Sequence, residues 1–167
     1  SIITNKPQTT HKRILGILSD EETQIIFLDT PGILDPAYLL QEKMVDSIIN
    51  SARDADVLLY LFDINDKLPS FESKEQEELI EILNKKRIKK IAVLNKMDLS
   101  KQEDAELKIK ELENLNLFDQ IITISALVNF NVDALLQSIK NYLPVHHKFY
   151  PDDQLTDEPE KFFVSEI

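Results

Sequence analysis

Hydrophobic and polar positions along this chain follow two periods in turn. Residues 13–19 and 23–29 are short β-rich runs flanking the polar tip Asp20-Glu21-Glu22, which predicts an antiparallel hairpin. Three later runs, Asp56 to Asp63, Lys90 to Leu94 and Gln120 to Ile124, are apolar without alternation. Runs of that kind suit strands buried on both faces of a parallel sheet. Between and after them apolar residues recur at helical spacing: Leu40, Met44 and Ile48; Leu79, Ile82 and Leu83; Ala105, Ile109 and Leu112; Val132, Leu135, Leu136 and Ile139. The stretch from Glu72 to Arg87 is acidic at its start and basic at its end, as a helix dipole prefers, and its acidic part reads as a solvated face. The whole predicts an α/β fold, three layers around a mostly parallel sheet. Right-handed crossovers would place every strand's C-terminal end on one edge.

Composition narrows this picture. A chain of 167 residues, 43% hydrophobic and 29% charged, suits one globular domain and excludes disorder as its main character. No apolar run approaches the roughly 20 residues that cross a bilayer. There is no cysteine, which excludes disulfides and thiolate metal sites. A net charge of −11 is a poor basis for gripping phosphate backbones. The two glycines, Gly16 and Gly32, are too far apart for a phosphate-binding loop of the form G-x-x-x-x-G-K-[ST].

The ends read as internal to a longer protein. Ser1-Ile2-Ile3-Thr4 has no initiator methionine and none of the regions of a signal peptide. Phe163-Val164-Ser165-Glu166-Ile167 stops inside an amphipathic helix that Thr156 or Asp157 would cap. The polar, proline-containing stretch before it, residues 146–157, reads as a linker. His146-His147 within it makes an awkward metal site, because adjacent residues of an extended segment point to opposite sides.

Candidate chemistry sits at the C-terminal ends of the predicted strands, where open α/β sheets bind ligands. Asp29-Thr30-Pro31-Gly32 ends the second run. An aspartate there can hold magnesium through water, and a glycine amide can approach a γ-phosphate closely; the same tetrapeptide is also a good turn. Asn95-Lys96-Met97-Asp98 follows the strand ending at Leu94. The two oxygens of Asp98 match the N1–H and exocyclic amine donors of guanine, a pair that adenine lacks. Asn95 can bond the purine's other edge and neighbouring loops, and the Lys96 stem can lie over the ring face. The bland reading of this tetrapeptide is an Asn-capped start to the next helix. Ser125-Ala126-Leu127 follows Ile124, and a backbone N–H there could meet guanine O6.

Asp-x-x-Gly, Asn-Lys-x-Asp and Ser-Ala, each ending a separate strand, match the guanine-nucleotide-binding pattern of TRAFAC-class GTPases. Residues 1–10 resemble the switch I region of the Era family, Asp29 to Ile33 resemble its switch II, and Tyr150 to Asp157 resemble its linker to a KH RNA-binding domain. The resemblance implies an Era-type G domain over residues 1–145, without its first strand and P-loop, a linker at 146–157, and the start of a KH domain at 158–167. It implies GTP or GDP and Mg2+ as ligands. Thr9 or Thr10 and Asp29 would serve the metal, Gly32 the γ-phosphate, and Asn95, Lys96, Asp98, Ser125 and Ala126 the base. It further implies a bacterial GTPase of small ribosomal subunit assembly, bound to ribosomal RNA through the KH domain. That protein would be cytoplasmic, with a peripheral position at the inner membrane face left open.

Two features depart from the family pattern: His11-Lys12-Arg13 stands where Arg usually follows the paired threonines, and the first strand and P-loop that the family places upstream of Ser1 are absent from this sequence. Ile33 stands where many GTPases place a glutamine, a hydrophobic substitution that the resemblance implies for this branch. It cannot orient a water, so no catalytic base is assigned. Without a P-loop the chain is expected to bind nucleotide weakly or not at all, to be inactive as a GTPase although the full-length protein is one, and to self-associate through exposed sheet edges. The alternative from another class is a nucleotide-free α/β interaction scaffold.

Overall fold

The structure is a computed structural model that describes residues 14–28, 55–68, 80, 81, 84 and 88–153. The apolar stripe Leu40, Met44, Ile48 and the residues Leu79, Ile82 and Leu83 lie outside them, while Ile80, Glu81 and Asn84 are helical. The described residues fall in two compact units, one holding the hairpin and the segment from His146, the other the residues up to Val145.

In the first unit, β1 (Ile14–Ser19) pairs antiparallel with β2 (Gln24–Leu28), with Ser19 opposite Gln24 and an irregularity between Ile14 and Gly16. Asp20 closes the turn: its Oδ1 accepts from the amides of Glu22 at 3.0 Å and Thr23 at 2.7 Å. A short carboxylate that bonds the backbone two and three residues on is what makes aspartate a turn former. Ile17 and Ile25 are buried. Residues 148–152 are held against this hairpin. Gln24 Oε1 accepts from the amides of Phe149 and Tyr150, each at 3.0 Å, and its Nε2 donates to the Tyr150 carbonyl at 3.0 Å and to Ser19 Oγ at 2.9 Å. Lys148 Nζ donates to the Asp20 carbonyl and to Asp152 at 2.7 Å. The histidines remain exposed; His146 stacks on Phe149, with ring centroids 4.6 Å apart.

In the second unit, β3 (Val57–Asp63), β4 (Lys89–Asn95) and β5 (Gln120–Thr123) form a parallel sheet in the order β3-β4-β5. Helix α1 (Gln102–Asn114) lies between β4 and β5, and α2 (Val132–Tyr142) follows β5. The α/β fold with a parallel sheet is therefore present. Ile91 to Leu94 of β4 are fully buried, as its unbroken apolar run predicts. β3 departs from that expectation: Tyr60 and Phe62 are buried but Leu61 between them is 62% exposed. Tyr60 and Phe62 share the face turned to the core, and Leu61 points to the opposite face, so β3 alternates where β4 does not. Ala105 and Leu112 of α1 join Tyr60, Phe62, Ile64, Ile88, Ala92 and Leu94 in the core. Phe118 sets its ring edge-on to both Tyr60 and Phe62, at 5.2 and 5.9 Å. On α2, Leu135 and Ile139 are buried, and Ser138 Oγ accepts from Gln120 Nε2 at 3.1 Å. Asp119 starts β5 by bonding Lys89 Nζ at 2.8 Å and the Lys90 amide at 2.9 Å.

Candidate guanine-recognition site

β4 and β5 end side by side, and the site is built where they stop. Leu94 is the last fully buried residue of β4, and its carbonyl accepts from the Ile124 amide at 2.8 Å. The next residue, Asn95, turns its side chain across to the loop after β5. Its Oδ1 accepts from the Lys96 amide at 2.8 Å and from the Ala126 amide at 3.0 Å. One carbonyl oxygen thereby joins two loops 31 residues apart in sequence. Its Nδ2 keeps two donors, for which no described residue supplies an acceptor.

Lys96 adopts the left-handed conformation, φ 66°, ψ 37°, uncommon for a residue with a long side chain. This reverses the chain into a short 3-10 turn, Met97–Leu99, while the Met97 amide bonds the Ile124 carbonyl at 3.1 Å. The turn carries Asp98 to the loop after β5, where Ser125 Oγ donates to Asp98 Oδ1. Ser125 is almost completely buried and Asp98 is exposed, so the hydroxyl anchors a carboxylate that still faces outward. Each carboxylate oxygen has two lone pairs, so both oxygens of Asp98 retain acceptor capacity after the serine bond.

The structure thus brings together Asn95, Lys96, Asp98, Ser125 and Ala126, all five of the base-reading residues expected from sequence. Asp29, Gly32, Thr9 and Thr10 lie outside the described residues, as does Ile33. One detail of the expectation narrows. The Ser125 amide is committed to the Phe130 carbonyl at 3.1 Å and the Ala126 amide to Asn95, so of the three amides in Ser125-Ala126-Leu127 the one without a described acceptor is that of Leu127.

Sequence reasoning missed Asp63. It ends β3 in direct register with Asn95, and its Oδ2 lies 2.6 Å from Lys96 Nζ. The hydrogen bond from Lys96, reinforced by the Asn65 amide, holds the Asp63 carboxyl below the usual aspartate range, and Asp63 in turn raises Lys96. The available signal was a carboxylate placed where an apolar run ends, the same signal that drew attention to Asp29. Among the described residues no group of three or more His, Asp or Glu side chains is arranged to hold a metal ion, and no helix is long and apolar enough to cross a membrane.

A parallel sheet that gathers polar side chains and backbone amides at the C-terminal ends of two strands has them where open α/β domains bind ligands. The chain belongs to the family described as 50S ribosome-binding GTPase, whose pattern it matches over residues 1–96. Its fold is similar to that of Aquifex aeolicus Era bound to GDP and AlF4−, with 32% identity, a TM-score of 0.70, and coverage of 98% of this chain and 55% of that one. Era in complex with MgGDPNP and nucleotides 1506–1542 of 16S ribosomal RNA gives 33% identity, a TM-score of 0.70, and coverage of 95% and 53%. This chain therefore spans about half the length of those Era chains. The elongation factor SelB of Methanococcus maripaludis with a GTP analogue shares the fold, at 21% identity, a TM-score of 0.59, and coverage of 83% and 30%.

Proposed function

We propose that this chain is the guanine-nucleotide-binding domain of a GTPase that works in small ribosomal subunit assembly through ribosomal RNA. The observation that carries the nucleotide reading is the meeting of Asn95, Asp98 and Ser125 at one sheet edge, with acceptor oxygens turned outward and an amide NH2 beside them. Guanine offers Asp98 two adjacent donors, N1–H and the exocyclic amine; adenine does not, and would leave the carboxylate unpaired against a ring nitrogen. Asn95 Nδ2 suits the acceptor on the purine's other edge, and the Leu127 amide suits O6.

The phosphates and magnesium are assigned to residues outside the described ones: Thr9 or Thr10 and Asp29 toward the metal, Gly32 toward the γ-phosphate. When bound, magnesium neutralises charge on the phosphate oxygens. The side chain of Ile33 offers no hydrogen bond to an attacking water, so hydrolysis draws on other groups. The RNA partner is supported by the Era complex with 16S ribosomal RNA. RNA contact is assigned to a KH domain beginning at residues 158–167, past a linker at 146–157, in a cytoplasmic protein.

Titration with fluorescent GDP, and fluorescent ADP as control, tests this with magnesium present and nucleotide up to millimolar concentration. Saturable binding of GDP but not ADP is expected. Binding of neither, even by a longer chain that includes residues upstream of Ser1, moves the protein to the nucleotide-free scaffold, and equal binding of both removes Asp98 as the base-selecting group.

A further inference from the structure

We propose that Asp63 is a positioning residue for guanine recognition: it tethers Lys96 so that the lysine stem lies along the strand ends as a preformed ledge for the purine ring. This inference rests on the guanine reading above and adds a residue that the Asn-Lys-x-Asp motif does not contain.

The geometry comes from the sheet. Asp63 and Asn95 are paired in the β3–β4 ladder, and the Ile64 amide bonds the Asn95 carbonyl at 3.0 Å, so the two strand ends are locked in register. Lys96 is the next residue beyond that lock. Its left-handed backbone is held by its own amide on Asn95 Oδ1 and by its carbonyl, which accepts from Leu99 at 2.9 Å. With both ends of the peptide fixed, the direction of Cβ is fixed as well.

A lysine stem has four rotatable bonds and, left in water, samples many rotamers. Here its far end is captured by Asp63 Oδ2 at 2.6 Å. The carboxylate is itself immobilised, because its Oδ1 accepts from the Asn65 amide at 2.9 Å and from Asn65 Nδ2 at 3.3 Å. One oxygen is therefore devoted to the turn after β3 and the other to the lysine. The Asp63 side chain is 21% exposed and that of Lys96 53%. That difference is what a ledge requires, a sheltered anchor and an open methylene face. Fixing the stem before a ligand arrives removes an ordering cost from binding. In the absence of the tether the same stem would have to be ordered by the base.

A double-mutant cycle tests this on the full chain, with GDP affinity as readout and thermal melting to show that each variant is folded. Asp63→Asn keeps the Asn65 contacts available and removes the charge that holds the lysine; Lys96→Met keeps an apolar stem and removes the tethered ammonium. Asp63→Asn is expected to weaken GDP binding about threefold to fivefold, the range for a partly exposed ion pair. In the Lys96→Met background it is expected to have no further effect. A second readout needs no nucleotide: the Lys96 ε-methylene NMR signal should titrate at lower pH in Asp63→Asn than in the parent. Losses that add in the double variant, or a Lys96 titration unmoved by Asp63→Asn, would overturn the proposal and leave Asp63 as a turn former only. Normal GDP binding by Asp63→Asn would do the same while leaving the guanine reading intact. A parent chain that binds no guanine nucleotide would remove that reading and this proposal with it.

Discussion

At the residue scale, recognition turns on the polarity of individual atoms. Asp98 presents only acceptors, and Ser125 uses one of their lone pairs without consuming either oxygen. Asp98→Asn replaces one acceptor oxygen by a donor of nearly the same shape. Guanine then meets a donor with its amine, whereas xanthine, with a carbonyl at that ring position, meets it with an acceptor. Asp98→Asn is expected to lose about tenfold to a hundredfold in GDP affinity, the cost of an amide donor facing the guanine amine, and to gain affinity for xanthosine diphosphate. Competition of the two nucleotides for the variant measures this directly; an unchanged preference for GDP would remove Asp98 from base selection. Asn95 is less simple to alter, because its Oδ1 joins the loops after β4 and β5.

At the element scale, the strands and helices that build the site were largely legible in the sequence. The unbroken apolar run at Lys90–Leu94 is the central strand, and the Ala105, Ile109, Leu112 stripe is α1, with Ala105 and Leu112 buried. Leu107, off that stripe, is 60% exposed. Leu112→Ala is therefore expected to cost about 2–5 kcal/mol and Leu107→Ala less than about 0.5 kcal/mol, as urea denaturation would show. The loop after β4 was legible because base recognition needs particular atoms close together in sequence. What sequence pattern did not carry was cross-strand register. Asp63 meets Lys96 only because β3 and β4 pair in parallel with Asp63 opposite Asn95. Gln24 meets Phe149 and Tyr150 across more than a hundred residues, a contact between the hairpin and the stretch read as a linker. Neither contact leaves a local periodicity.

At the scale of the whole molecule, charge sets the pH range of stability. The Lys96 hydrogen bond, then the Asn65 amide, lower the Asp63 carboxyl; partial burial raises Asp119, but its bonds to Lys89 and the Lys90 amide outweigh this and lower it overall. A carboxyl lowered in the folded state contributes stability above its unfolded pKa and loses it as pH falls through the folded value, here below about pH 4. Lys96 and Lys89 are raised by Asp63 and Asp119, and burial pushes Tyr60 up to about 12. These contributions are complete below the unfolded values and disappear as pH rises through the folded ones, above about pH 10. Thermal unfolding is thus expected to show a plateau between about pH 5 and 9 with a decline on both sides. Near-ultraviolet absorbance should show a phenol ionising at about pH 12 that is lost in Tyr60→Phe; ionisation of that phenol already at about pH 10 would contradict its burial.

The four left-handed residues described here, Lys96, Asn116, Asn129 and Asn131, are all non-glycine. Asparagine tolerates that conformation, but lysine does so at a cost that glycine would not incur. At position 96 glycine would relieve that backbone cost but would give up the ion pair to Asp63, so the lysine exchanges local backbone comfort for a cation tethered at the strand ends.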